Sequence, residues 1–127
     1  MTPGKACELA LRTILLPRDT NASGSIFGGI ILSHIDMAGV VPARKLAPKK
    51  QFVTVAMDKV VFHEPVFVGD LVSLYTTVLE VGRTSIKIQV DVTAIRGGDM
   101  STGELQVTEA VVTYVAVDAD RNATPIE

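Results

Sequence analysis

Residues 19–39 read DTNASGSIFGGIILSHIDMAG, and the whole fold hangs on this stretch. A polar, turn-forming run leads to a Gly-Gly pair, Gly28 and Gly29, and then to a strongly apolar segment. The segment reads as a helix from about Gly28 to Leu46, with Pro42 predicting a kink or a new turn near its end. Ile30, Ile31, Leu32, Ile35, Met37, Ala38, Val40 and Val41 leave it almost no polar face, so it should be buried on most sides. Ser33, His34 and Asp36 are the exceptions. His34 and Asp36 stand two residues apart, point roughly opposite ways and form no dyad.

On either side of the helix the pattern changes. "LALRTILLP" (9–17) suggests a short first strand stopped by Pro17, and "RDTNASGS" (18–25) has the chemistry of a loop. Beyond "APKKQ" (47–51) the period becomes two. In "RTSIKIQVDVTAI" (83–95), Thr84, Ile86, Ile88, Val90, Val92 and Ala94 share one face, and Ser85, Lys87, Gln89, Asp91 and Thr93 the other. "FVTVAMDKVVFHEP" (52–65), "DLVSLYTTVLEVG" (70–82) and "GELQVTEAVVTYVAVD" (103–118) are further strands, separated by "VFVGD", Gly82-Arg83 and "GGDMSTG". Short connections imply antiparallel pairing of successive strands. An α+β fold, with an antiparallel sheet curled around one long central helix, satisfies every element.

Composition bounds the rest. At 127 residues the chain is read as one domain spanning 1–127, with an ordered core of about 9–118 and loose ends at 1–8 and 119–127. Hydrophobic residues make up 47% and charged residues 20%, which suits a small β-rich domain that also buries surface against copies of itself. A net charge of -2 gives no global attraction to nucleic acid or anionic membranes, so neither is expected as a partner. The one cysteine, Cys7, has no partner for an internal disulfide, and no signal peptide or membrane-length apolar stretch is visible; a cytoplasmic location follows. No cluster has metal-ligand spacing, and no cofactor is expected.

Two features carry chemistry. A carboxylate in an apolar helix is costly to bury unpaired, so Asp36 either caps or pairs with a basic neighbour, or performs acid–base or nucleophilic work. Gly28 and Gly29 either allow tight packing of the helix start, or open its free N–H groups to a carbonyl oxygen that becomes an oxyanion. Eight residues of helix separate Gly28 from Asp36 by about 12 Å, too far for one carbonyl to meet both. If both act in one reaction, Asp36 must come from a second subunit, which an isologous dimer with paired antiparallel helices supplies.

"PRDTNASGSIFGGIILSHIDMAG" (17–39), "VTVAMDKVVFHEPVFVGD" (53–70), "VGRTSIKIQVDV" (81–92) and "EAVVTYVAVD" (109–118) together resemble the hotdog-fold acyl-CoA thioesterases. Within that group the chain is most similar to the bacterial YciA-type and cytosolic acyl-CoA hydrolase branch. The resemblance spans about residues 10–118. It implies a hotdog fold and hydrolysis of acyl-CoA thioesters to free acid and CoA. It gives Asp36 the role of general base or nucleophile, and Asn21 that of orienting water or the substrate carbonyl from the partner subunit. The Gly28 or Gly29 amide would face the thioester oxygen. Many relatives carry His-Gly-Gly where this chain has Phe27-Gly28-Gly29; the YciA-like branch shares the Phe.

For coenzyme A, Arg83, Thr84 and Ser85 in "GRTS" are the strongest candidates, a plain hairpin being the alternative. Arg44 and Lys45, with Lys49 and Lys50, form a second basic patch that also suits a helix C-terminus for dipole reasons. His63 is expected at a strand end with no role, and Glu109 near an interface. The resemblance further implies homodimers with shared sites, assembling as a trimer of dimers. Two other readings stay open: a non-catalytic acyl-CoA-binding module, and another hotdog enzyme such as a hydratase or dehydratase. The latter class typically relies on a His paired with a carboxylate, and neither histidine looks placed for that.

Overall fold

The structure, a computed structural model, describes residues 7–127. In chain order it comprises β1 (Glu8–Ile14), α1 (Gly28–Leu46), β2 (Gln51–Phe62), β3 (Leu71–Val81), β4 (Ser85–Ile95) and β5 (Leu105–Val117). Short 3-10 turns lie at Pro17–Asp19, Arg96–Gly98 and Met100–Thr102. The five strands form one sheet in the order β1-β3-β4-β5-β2, with every neighbouring pair antiparallel. The helix packs on one face of it.

The two periodicities meet in the core. Ile86, Ile88, Val90 and Val92 are completely buried beneath the helix, as the alternation in β4 requires. From the helix, Ile31, Ile35, Ala38 and Ala43 face them. The wrapped-sheet expectation therefore holds, and α1 has the expected limits. The chain continues helically through Pro42 rather than ending or turning there. The helix is also less enclosed than its composition suggests. Gly29 and Ser33 are exposed and Met37 is about half exposed within one chain, so one stripe of α1 faces away from the sheet.

Other expectations fail in instructive ways. β2 does not pair with β3 across "VFVGD"; it pairs with β5, and residues 63–70 carry the chain past β5 and β4 to β3. Three strand spacings amount to about 14 Å, which eight extended residues easily span. Period-two patterning is identical beside a hairpin and beside such a crossover. Thr93, placed on the polar face, is buried because the segment after β4 covers it; its hydroxyl donates to Glu104 Oε1 at 3.0 Å.

The ends differ too. Residues 119–127 are not loose. Asp118 and Asn122 close a turn, the Thr124 N–H donates to the Ala116 carbonyl, the Ile126 N–H donates to the Arg83 carbonyl, and the Ile126 side chain is buried. Burial of that one apolar side chain, with the backbone bonds around it, holds the tail. The expected N-terminal loose end falls largely on residues 1–6, outside those described.

A buried ion pair anchors the crossover. Asp70 is almost fully buried, accepts from the Phe67 N–H at 2.9 Å and pairs with Arg96. Arg96 also donates to the Pro65 carbonyl at 2.7 Å and lies 4.8 Å from the centre of the Phe67 ring. On the outer face of the sheet, Asp91 and Glu109 are directly opposed across β4 and β5. Gln106 Nε2 bridges them, donating to Asp91 at 3.2 Å and Glu109 at 3.1 Å, while Gln89 also donates to Asp91. Burial, with the Glu109 charge adding to it, holds the Asp91 carboxyl above its ordinary value despite the amide donors.

Two stability measurements follow. Arg96→Ala leaves the buried Asp70 carboxylate uncompensated and should cost roughly 2–3 kcal/mol, read as a lower denaturant midpoint. An acid whose folded-state value is raised weakens the fold where it is ionised, and that penalty is relieved as the pH falls through the raised value. Asp91→Asn should therefore raise Tm above neutral pH, with the gain shrinking as the pH falls toward the ordinary aspartate range near 3.8.

Candidate active site

The loop before α1 is organised around two side chains. Asp19 Oδ2 accepts from the Leu16 N–H, and the Asp19 carbonyl accepts from the Phe27 N–H. Asn21 Oδ1 accepts from the N–H groups of Ser23 and Ser25, and its Nδ2 donates to Ser25 Oγ at 3.0 Å. Asn21 is thus the hub of its own turn, with one amide proton left over for any substrate or water. Its residue type alone, read by resemblance as a substrate-orienting group, gave no sign of this structural load.

That loop delivers Phe27 as the residue capping α1. The first intrahelical bonds run from Ile30 and Ile31 to the Phe27 carbonyl, and the Phe27 side chain accepts nothing. The Gly28 and Gly29 N–H groups consequently have no acceptor among the described residues. They carry the positive end of a 19-residue helix. A Cβ on Gly28 would meet the Phe62 ring at 3.4 Å, and one on Gly29 would meet the Phe27 ring at 2.7 Å. The Phe62 ring of β2 meets Gly28 only at ordinary contact distance, the Phe27 ring crowds Gly29, and the amides are open.

Beside them lies a cavity of about 250 Å³. Ile26, Ile31, Phe62 and Val66 give it apolar walls, and Gly28, His63, Glu64 and Thr108 complete it. His63 Nε2 stands 3.4 Å from Glu109 Oε2. This corrects the expectation that neither histidine is placed beside a carboxylate. The pairing was hidden because residues 63 and 109 come together only through the β2–β5 ladder. Thr108 was also missed. It is 1% exposed, and its hydroxyl has no hydrogen-bond partner among the described residues. The available signal was a hydroxyl at an inward position of an otherwise apolar strand.

Asp36 sits two turns further along, half-buried on the free flank of α1. Thr54 of β2 donates to its Oδ1 at 2.6 Å, and no cation pairs with it among the described residues. Tyr114 reaches up from β5 and donates to the Asp36 carbonyl at 2.7 Å. Burial first, then the charge and hydrogen bond of Asp36, push the Tyr114 phenol far above its ordinary value, so it remains a donor. Gly39 makes this approach possible, since a Cβ there would fall on the Tyr114 hydroxyl. His34 Nδ1 lies 2.8 Å from the Ile30 carbonyl of its own helix and takes no part. Within one chain, then, the free amides and the free carboxylate lie at separate places on one rigid rod.

The anion candidates divide. Arg83, Thr84 and Ser85 form the turn between β3 and β4, where the Gly82 N–H donates to the Ser85 carbonyl and the Ala116 N–H to the Thr84 carbonyl. Arg83 is exposed and borders a depression of about 460 Å³ closed by Pro125, Ile126 and Glu127. Arg44 and Lys45 are exposed at the far end of α1 from the glycines. Lys45 is engaged with Glu8 at 3.0 Å. No group of three or more His, Cys, Asp or Glu among the described residues is arranged to hold a metal ion.

Comparison with known proteins fits this geometry. The thioesterase superfamily model matches residues 23–101. An uncharacterized acyl-CoA thioester hydrolase of Haemophilus influenzae is 48% identical over 111 residues, covering 87% of this chain and 71% of its own. The acyl-CoA thioester hydrolase YciA of Salmonella typhimurium is 40% identical, over 94% of this chain and 90% of that protein. Among solved structures, a hexameric hotdog fold thioesterase of Campylobacter jejuni superposes with a TM-score of 0.86 at 50% identity, over 94% and 90% of the two chains. A hexameric thioesterase from Yersinia pestis gives 0.87 at 38% identity, over 98% of each. The fold is the hotdog fold, and the chain belongs to the thioesterase superfamily.

Proposed function

We propose that this protein hydrolyses acyl-CoA thioesters to a free carboxylic acid and CoA, at sites shared between two copies of the chain. The observation that carries this reading is the division along α1. Two unsatisfied amides stand at one point, and a half-buried carboxylate with no cation beside it among the described residues stands about 12 Å away. A two-fold axis that sets two such helices antiparallel brings the carboxylate of one beside the amides of the other.

The surface supports that axis. β2 is an edge strand of 12 residues, and Val55, Val61 and Phe62 on it are about half exposed, as are Met37 and Phe27 beside it. A long edge with apolar side chains is suited to pairing with its own copy. Relatives in the family are hexameric, and the same assembly, a trimer of such dimers, is proposed here.

In each site the thioester carbonyl accepts from the Gly28 and Gly29 N–H groups, which stabilise the charge that develops on oxygen. Asp36 of the partner subunit either removes a proton from the water that attacks the carbonyl, the C–S bond then breaking to release CoA, or attacks the carbonyl itself and expels CoA thiolate to give an anhydride that water then opens, the proton passing to the thiolate. Thr54 fixes the carboxylate rotamer while leaving Oδ2 for the reaction. The spare Asn21 amide proton is free to orient water or substrate. Arg83, with Thr84 and Ser85 and the depression beside them, is assigned to the CoA phosphates, and Arg44 and Lys45 to a secondary patch weakened by the Glu8 pairing. The chemistry uses no cofactor beyond the CoA carried by the substrate. We place the enzyme in the cytoplasm, where acyl-CoA and reduced Cys7 coexist; no described helix is long and apolar enough to cross a membrane.

One observation favours a second reading. His63 borders the cavity that holds Gly28, with Glu109 3.4 Å behind it, an arrangement suited to proton transfer in a hydratase or dehydratase. Thiol release from a panel of acyl-CoAs separates the two. Asp36→Ala should lower kcat by roughly 10²–10⁴-fold with a smaller change in KM. His63→Ala should change it by a few fold at most. Unchanged turnover in Asp36→Ala removes the aspartate from the mechanism. No thiol from any substrate, with hydration of an enoyl-CoA that His63→Ala abolishes, establishes the second reading instead.

A further inference from the structure

Contacts within one chain locate the seam between two copies. The Phe62 ring of β2 lies against Gly28, and Thr54 of β2 donates to Asp36. A two-fold axis that carries Asp36 of one copy to Gly28 of the other therefore also carries Thr54 to Phe62. Residues exchanged by such an axis lie symmetrically about the one that stands on it. On α1 the midpoint of Gly28 and Asp36 is Leu32, and on β2 the midpoint of Thr54 and Phe62 is Asp58. Val55 and Val61, both about half exposed on this edge, are symmetric about Asp58 as well. Each valine thus covers the other's copy across the seam.

An axis duplicates whatever charge stands on it. Asp58 would confront its own copy, and like charges directly opposed across paired strands are destabilising. The neighbouring residue supplies the remedy. Between the Asp58–Val111 and Val61–Glu109 pairs, β2 sets Lys59 and Val60 against the single Ala110, which makes a β-bulge. Strict alternation from Met57, which packs on the core, would turn Lys59 inward and Val60 outward. The bulge reverses this. Val60 packs on the core, and Lys59 is exposed at a φ of 53°, which lysine rarely adopts. Neither Asp58 nor Lys59 has an ion-pair partner among the described residues.

Resting on the shared-site reading above, we infer that Lys59 is a positioning residue, pairing with Asp58 of the partner subunit across the axis. Two such pairs straddle the axis, each carboxylate beside the other chain's ammonium. The patch is complementary to itself in charge and in the spacing of its valines, which selects a second copy as its occupant. A slip of β2 along its copy breaks both pairs and carries Asp36 away from the Gly28 and Gly29 amides. The ion pairs thereby tie the register of the edge to the geometry of the site.

The test mixes two variants of the full chain. Lys59→Asp leaves only carboxylates at the axis, and Asp58→Lys only ammonium groups. Both side chains are exposed, and aspartate tolerates the left-handed backbone at 59, so each protomer keeps its fold. Each variant alone should lose assembled mass in sedimentation. It should also release thiol from acyl-CoA at least about tenfold more slowly, because like charges brought together weaken association by more than a decade. An equimolar mixture should recover most of the native mass and turnover, since every pair across the seam then joins opposite charges. Recovery confined to the double exchange within one chain, Asp58→Lys with Lys59→Asp, marks an internal pair and overturns the assignment. Native mass and turnover in either variant alone overturn it too. A mixture that assembles without regaining turnover overturns the positioning role. A native protein that releases no thiol overturns the thioesterase reading, and the masses then decide the pairing by themselves.

Discussion

The stiffness of α1 is the constraint on which everything else depends. A hydrogen-bonded helix cannot fold back to bring its own first amides to a carboxylate two turns along. The Gly28 and Gly29 N–H groups and Asp36 are therefore held apart by geometry rather than by chance packing. In the mechanism proposed above, that separation is why a second copy has to supply the carboxylate. The sheet's role follows from it. β5 and β2 clamp the middle of the helix through Tyr114 and Thr54, so the carboxylate is presented at a fixed height and a fixed rotation.

The polar contacts are distributed with the same economy. Asp70 and Arg96 fasten the crossover whose Val66 carbonyl receives the Ile26 N–H, and this crossover forms one wall of the cavity beside the helix start. A stabilising ion pair and a wall of the cavity thus share a segment. Conversely, the Asp91–Glu109 opposition on the outer face is only partly relieved by the two glutamines. The same Glu109 carboxylate stands 3.4 Å from His63, which borders the cavity. Charge placed for one purpose conditions the environment of another.

How far the site could be read in advance varies residue by residue. Asp36 stood out because a carboxylate inside an apolar helix violates the pattern around it. Gly28 and Gly29 stood out because glycine at a helix start is a conformational statement. Thr108 and His63 carried no such mark. A threonine in a strand and a histidine at its end are ordinary, and their significance comes from the β2–β5 register that places them beside the glycines. Asn21 was read by resemblance as orienting water or the substrate carbonyl, and the hydrogen bonds by which it also holds its own loop were not legible.

The amino-acid sequence by itself determined the elements and their faces, because period 3.6 and period 2 are local properties set by which side chains must leave water. It determined the approximate limits of the helix, near Gly28 and Leu46, and the half-buried alternation of β4. It could not determine that β2 lies at the sheet edge against β5, nor that the tail after Asp118 folds back onto the β3–β4 turn. Pairing depends on which strands compete for the same partner, and short loops permit either a hairpin or a crossover. Tertiary structure alone decided those contacts, and with them the cavity, its unpaired hydroxyl and the open flank that carries Asp36.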